Sequence, residues 1–256
     1  VQTLVIALNT FKEAVRNKIF YTLIFFAFVF TVFSISLSTM VLGNMVKVII
    51  DMGLANIEIF GALISIFVGI FLVYKELERR TIYTIITRPI ARWQFILGKY
   101  LGLLLTLVVE ILIMTTVFFL IVVFFNDAPE MLPGLCVAIW LIFIKLMLIT
   151  AVAVMFSSLS TPILSGMFTL AFYVIGSISG HLITLIEINT PPFTATLIRM
   201  LAFLLPDFRF LDVKGMVYYE QEISLSHIVY SSSYGLLYTA IVLTLAILIF
   251  DRKDMK

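Results

Sequence analysis

Charge is scarce in this 256-residue chain. Asp, Glu, Lys and Arg together make up 12% of it, about half of what a soluble domain carries. Hydrophobic residues reach 62% and the mean hydropathy is +1.16. A compact soluble fold of this size has nowhere to hide so much apolar surface, so the composition defines a membrane protein. Cysteine is nearly absent. Cys136 stands alone, which excludes an intramolecular disulfide and a cysteine-only metal cage. With 12 glycines and 7 prolines, collagen-like and disordered chains are excluded as well. The net charge of +2 is too small to suggest nucleic acid as a partner.

What the chain has in abundance is long apolar runs. A membrane helix needs about 20 mostly apolar residues, and six segments qualify: about Ile19 to Met40, Ile57 to Tyr74, Phe95 to Phe125, Gly134 to Phe156, Ile163 to Ile183, and Ile228 to Phe250. The expected fold is therefore all-α and integral to the membrane, with a six-span domain over 19–256.

The distribution of Lys and Arg orients these spans. Lys12, Arg16 and Lys18 precede the first. Lys75, Arg79, Arg80, Arg88, Arg92 and Lys99 lie between the second and third, and Arg252, Lys253 and Lys256 follow the sixth. With six spans all three clusters share one side, which places both termini in the cytoplasm. The other side holds only Lys47, Arg199, Arg209 and Lys214 among many acids.

Residues 1–18 carry Leu4, Leu8, Phe11 and Val15 at helical spacing, with Asn9, Lys12, Glu13, Arg16 and Asn17 largely opposite. This pattern predicts an interfacial helix on the cytoplasmic leaflet. The loop 75–94 reads KELERRTIYTIITRPIARWQ around its Ile82, Ile85 and Ile86 stripe, with Pro89 disfavouring helix at Arg88. A short charged helix between two long spans suits transmission of force from a soluble partner; a basic loop obeying the positive-inside rule is the simpler reading. On the outer side, 184–227 includes a short apolar helix between Pro192 and Pro206, too short to cross and expected at the interface or capping the spans.

Together these segments resemble the permease subunits of ABC-2-type ABC transporters. FKEAVRNKIFY is similar to that family's connecting helix entering the first span. In KELERRTIYTIITRPIARWQFILGK, the acids Glu76 and Glu78, then Thr81, Pro89, Arg92, Gly98 and Lys99 match the family's order, with Arg80 standing where glycine is usual. SSLSTP and FDRKDM are also similar, and LLPDFRFLDVK resembles the outer segment of a subgroup that includes nitrous-oxide-reductase maturation and gliding-type permeases. The resemblance implies a dimer of permeases, identical in the simplest case, driven from the cytoplasm by two copies of a separate ATPase subunit. It further implies a bacterial-type inner membrane and either export of a substrate or conformational signalling to an extracytoplasmic protein. ATP and magnesium belong to the ATPase: Gly98-Lys99-Tyr100 lacks the upstream glycine and the Ser or Thr of a phosphate loop. The permease itself is expected to be no enzyme and to hold no cofactor. The coupling contact falls on Glu76, Glu78, Arg79, Arg80, Thr81, Arg88, Pro89 and Arg92.

Several residues outside that loop call for a role. Glu110 and Lys145 lie mid-span, where a charge is costly by about 2.5–3.5 kcal/mol and needs a partner. Counted from their shared hairpin, they differ in depth by about one turn, which predicts a Glu110–Lys145 ion pair. It would pin the hairpin, or serve substrate or protons. Gly176 and Gly180, one turn apart, predict close helix packing at a dimer axis or within one subunit. The serines of YSSSYG (Tyr230 to Gly235) either line a polar vestibule or bond back to their helix. His181, His227 and the outer methionines stand at no diagnostic metal-ligand spacing, and no nucleophile–base arrangement stands out. Two rival readings follow: an ion-coupled secondary transporter or channel using Glu110 and Lys145, and a membrane scaffold that moves nothing.

Overall fold

The computed structural model describes residues 2–40, 45–78, 91–125, 131–189, 206–218 and 223–252; at 73–78, 125, 179–189 and 218 the backbone alone is described. The elements are α1 (Gln2–Val15), α2 (Lys18–Ser38), α3 (Met45–Glu78), α4 (Arg92–Phe125), α5 (Leu132–Leu159), α6 (Pro162–Asn189), a 3-10 turn (Phe208–Leu211), α7 (Lys214–Tyr218) and α8 (Leu225–Arg252). Among the described residues, five helices are long and apolar enough to cross a membrane: Lys18–Ser38, Met45–Leu72, Arg92–Phe124, Leu132–Leu159 and Leu225–Arg252. The part of α6 with described side chains, Pro162–Ile178, is a shorter apolar helix.

Burial separates inner from outer helices. In α3 and α5, 67% of the span is buried, against 22% in α2 and 28% in α8. α3 and α5 pack on one another and form the centre, with α2, α4, α6 and α8 around them. Both large clusters of buried residues run through this pair. The outer helices leave Phe25, Phe26, Phe33, Leu237 and Ile241 exposed, as lipid-facing surfaces require.

The end that carries Lys18, Arg92 and Arg252 is referred to as the basic end. There α1 lies along α4. Its contact face is not the Leu4–Leu8 stripe but the small residues Ala7, Thr10 and Ala14, all buried. On α4, Gly98 admits Ile6 and the Thr3 carbonyl, and Gly102 admits Thr10 and the Ala7 carbonyl; a Cβ at either position would collide with them. Small residues on both helices permit this approach. It leaves Leu4, Val5 and Leu8 pointing outward, so the stripe read from the sequence faces away from the bundle. Asn17 then caps α2, its side chain accepting from the Ile19 amide at 3.0 Å.

The turn between α5 and α6 is closed by Ser160, from SSLSTP, and Ser165, three residues after it. The Ser165 hydroxyl donates to the Phe156 carbonyl at 2.8 Å and meets Ser160 at 2.9 Å. This satisfies carbonyls that the end of a helix leaves open.

The second span begins earlier than the sequence suggests. α3 starts at Met45, twelve residues ahead of the expected Ile57 (45 against 57), so Lys47, Asp51 and Glu58 lie inside the helix. Charges do not end a helix when they find partners, and Glu58 has three.

Candidate functional site

Glu58 is 4% exposed and Lys145 2%. Each lies thirteen residues into its helix (58 from 45, 145 from 132), roughly 20 Å at 1.5 Å per residue. They are therefore level, and their side chains meet: Lys145 Nζ donates to Glu58 Oε1 at 2.5 Å. The Tyr173 hydroxyl, from α6, donates to the same oxygen at 3.2 Å. The other oxygen, Oε2, accepts from Lys214 Nζ at 2.5 Å. One carboxylate is thus held by two ammonium groups and a phenol. A buried charge is tolerable only with partners of this kind.

Lys214 arrives from the segment 206–218, and the way this segment reaches the carboxylate defines the site. At its far end, Val217 lies against Gly134, two residues into α5. At its near end, the Phe208 ring rests on Gly176, thirteen residues from the end of α6 (176 against 189). Leu211 lies beside Gly235 of α8. The segment therefore slopes into the bundle, with Phe208, Leu211, Val213 and Val217 all buried. The short apolar helix expected between Pro192 and Pro206 lies outside the described residues; 206–218, which follows it, packs its buried side chains among α5, α6 and α8. Buried irregular backbone must find its hydrogen bonds within the protein. Asp207 accepts from the Arg209 amide at 3.0 Å and its own amide donates to Tyr234 Oη at 2.9 Å. Asp212 Oδ1 accepts from the Lys214 amide at 3.2 Å.

Phe208 completes the arrangement. Its ring centroid is 4.9 Å from Lys145 Nζ, and the Tyr173 ring is 5.5 Å from the same nitrogen. The ammonium is held by a carboxylate on one side and aromatic faces on others. Burial disfavours the charged form of Lys214, but Glu58 and Asp212 outweigh it and its pKa lies above the ordinary lysine value. Burial pushes the Asp207 carboxyl upward, and the hydrogen bonds and charge of Arg209 more than reverse this, leaving it below the usual range.

The structure corrects the expected Glu110–Lys145 pair. Lys145 is engaged by Glu58. Glu110 is fully buried on α4 and neither of its oxygens has a hydrogen-bond partner among the described residues. Partner choice depends on which face each helix turns to the centre. With a second span expected from about Ile57, Glu58 falls at its first turn, where hydropathy does not mark an acid as buried. The signal available was a lone acid in IEIFGALISIF, with Lys145 in need of a partner.

Gly176 does serve close packing, within this chain and against Phe208. Gly180 lies where only the backbone of α6 is described. Of the loop residues, Glu76 and Glu78 belong to the last turns of α3, also described by backbone alone, and Arg79, Arg80, Thr81, Arg88 and Pro89 fall outside the described residues. Arg92 has an internal role: its Nη1 donates to the Asp251 carbonyl at 2.5 Å and the Phe250 carbonyl at 3.4 Å. It caps α8 where a helix C-terminus favours a cation, and the Phe95 and Phe250 rings stack beside it at 5.7 Å. The serines at the other end of α8 act in two ways. Ser232 accepts from Trp140 Nε1 at 3.0 Å, and Ser231 meets His227 Nε2 at 3.4 Å.

Five apolar spans around a partnered buried charge, with one end strongly basic, define a multi-pass membrane protein. Residues 4–255 match the family described as ABC-2 family transporter protein. The chain belongs to that family, whose members are membrane subunits of ABC transporters and imply an ABC ATPase partner. None of the curated proteins matches it.

Proposed function

We propose that the chain is a six-span permease subunit that pairs with a second copy and couples ATP hydrolysis by two separate ATPase subunits to movement at the opposite face. Both termini lie in the cytoplasm and the membrane is a bacterial-type inner membrane. ATP and magnesium are held by the ATPase, and 75–94 is its contact.

The observation that carries this reading is the continuity of α3. One helix runs from Glu78, at the edge of the coupling loop, to Met45. Glu58 lies twenty residues from Glu78 along it, roughly 30 Å of uninterrupted helix. At Glu58 the helix is fastened to α5 by Lys145 and to the buried segment 206–218 by Lys214. A displacement at the loop therefore reaches the far face through a stiff rod and a charge clasp. Conformational signalling to an extracytoplasmic protein is favoured over simple export by this clasp, since what it holds is a segment at that face. The segment is also the part that resembles the maturation-type subgroup.

The test is co-purification from detergent followed by an ATPase assay. Glu76→Ala, Glu78→Ala and Arg88→Ala are expected to lower ATPase binding or activity severalfold while elution volume stays unchanged. Full ATPase recovery and activity in all three variants would remove the loop from the mechanism. Arg92→Ala is unsuitable for this purpose, because it also uncaps α8.

A further inference from the structure

The basic end of the bundle holds a second feature, apart from the clasp. There the last turns of α5 and α8 frame a cavity of about 410 Å3, within the range of about 300–1,000 Å3 that ligand sites occupy. Among the described residues its lining is Ser158 and Leu159 of α5 with Ile249 and Arg252 of α8. Ser158 is buried, and its hydroxyl already donates to the Met155 carbonyl at 2.7 Å. Leu159 is 48% exposed and Arg252 is exposed as well, so the cavity and its cation are reached from outside.

Arg252 supplies the charge. Its guanidinium has no hydrogen-bond or ion-pair partner among the described residues. The neighbouring Asp251 turns to Arg92, 4.0 Å away, and Arg92 is spent on the carbonyls that end α8. The helix dipole favours a cation in the last turn, which accounts for Arg252 at this position but not for the apolar walls beside it. Leu159 and Ile249 offer water nothing to bond. On α8, Leu245, Leu248, Ile249 and Arg252 fall within about 100° of one face at 3.6 residues per turn, and Leu245 and Leu248 are exposed. The lipid-facing surface therefore runs into the cavity and ends on a guanidinium. A molecule that suits both has an anionic head and an alkyl tail. The planar fork of arginine matches the oxygens of a phosphate. No carboxylate lines the cavity among the described residues, so the ammonium of a zwitterionic head would meet Arg252 with nothing to balance it.

We infer that this cavity seats one anionic phospholipid of the leaflet at the basic end, with its phosphate on Arg252, an acyl chain along Ile249, Leu245 and Leu248, and Leu159 as the opposite wall. The inference needs this end to border the bilayer; it does not rest on coupling to ATP.

The test is retention of tail-tritiated dioleoyl phosphatidylglycerol by the immobilised wild-type chain in detergent micelles. Unlabelled phosphatidylglycerol is expected to displace it at a mole fraction about fivefold lower than phosphatidylcholine with the same chains, the preference that one Arg near an anionic surface supplies. Sodium phosphate should displace no more label than sodium chloride of equal ionic strength. Arg252→Gln should retain about fivefold less label while eluting as wild type. Lys12→Gln, which removes an exposed cation outside the cavity, should retain the wild-type amount. Equal displacement by the two lipids would overturn the inference, and so would full retention by Arg252→Gln. A loss of the same size in Lys12→Gln would overturn it by showing a diffuse basic surface. Displacement by phosphate beyond the chloride control would overturn it by showing an anion site without a lipid. The lipid and phosphate comparisons use unaltered protein, so they are decisive even if a variant fails to fold.

Discussion

Lys214 and Glu58 meet at 2.5 Å across 156 residues of sequence, and this contact ties the buried segment 206–218 to the central helix of the bundle. The carboxylate serves two cations at once, since Lys145 occupies its other oxygen. The three charges therefore depend on one another, and the acid is the member neither lysine can spare.

Glu58→Gln is expected to be the most damaging single change in the cluster. It leaves buried Lys145 without its carboxylate and Lys214 with only Asp212, 3.6 Å away, and removing one partner of a buried pair costs about 3–5 kcal/mol. At roughly 2–4 °C per kcal/mol for a chain of this size, Tm in detergent should fall by about 10 °C. Lys214→Met should cost less, because Lys145 still neutralises Glu58. Equal losses in the two variants, measured by a thermal-shift assay, would contradict this ordering.

Glu110 behaves in the opposite way. With both oxygens buried and unpartnered among the described residues, its carboxyl lowers stability where it stands. Glu110→Leu is expected to leave Tm unchanged or raise it by a few degrees, because an apolar side chain of similar size removes an unsatisfied polar group. A fall of 5 °C or more would mean that Glu110 has a partner in the assembled transporter.

Asp207 gives the segment a pH dependence. Its pKa in the folded chain lies below the ordinary value, through Arg209. A depressed carboxyl contributes stability that is present above its unfolded pKa, about 3.9, and lost as pH falls through the folded value. Asp207→Asn mimics the protonated form, so wild type should exceed it in Tm by a few degrees near neutral pH. The gap should close below about pH 4. A gap that persists there would show that the loss is one of shape and not of charge.

Much of the fold was legible because a bilayer leaves few alternatives. Long apolar runs had to be helices, and the alternation of basic clusters separated one end from the other. The cluster was harder to read. Lys145 announced its need for a partner, but choosing between Glu58 and Glu110 required knowing how α3 and α4 rotate about their axes, which hydropathy does not encode in helices apolar on every side. Gly176 signalled a close approach without naming Phe208, because the approaching ring comes from outside the spans. Arg92 was read as a contact for a partner from its place in a basic loop; its hold on α8 joins residues 158 and 159 positions apart, beyond any local pattern.

The central claim is that ATP acting at the basic end moves the segment held by Glu58. It is tested most directly by spin labels at Met216 and Leu159, both exposed and on opposite ends of the bundle, introduced as Met216→Cys and Leu159→Cys with Cys136→Ser. Distances between them would be measured in the reconstituted complex with its ATPase, with and without ATP. A shift of the distance distribution on adding ATP, lost when Glu58→Gln is included, is the expected result. An identical distribution with and without ATP, in a complex that hydrolyses it, would contradict the account.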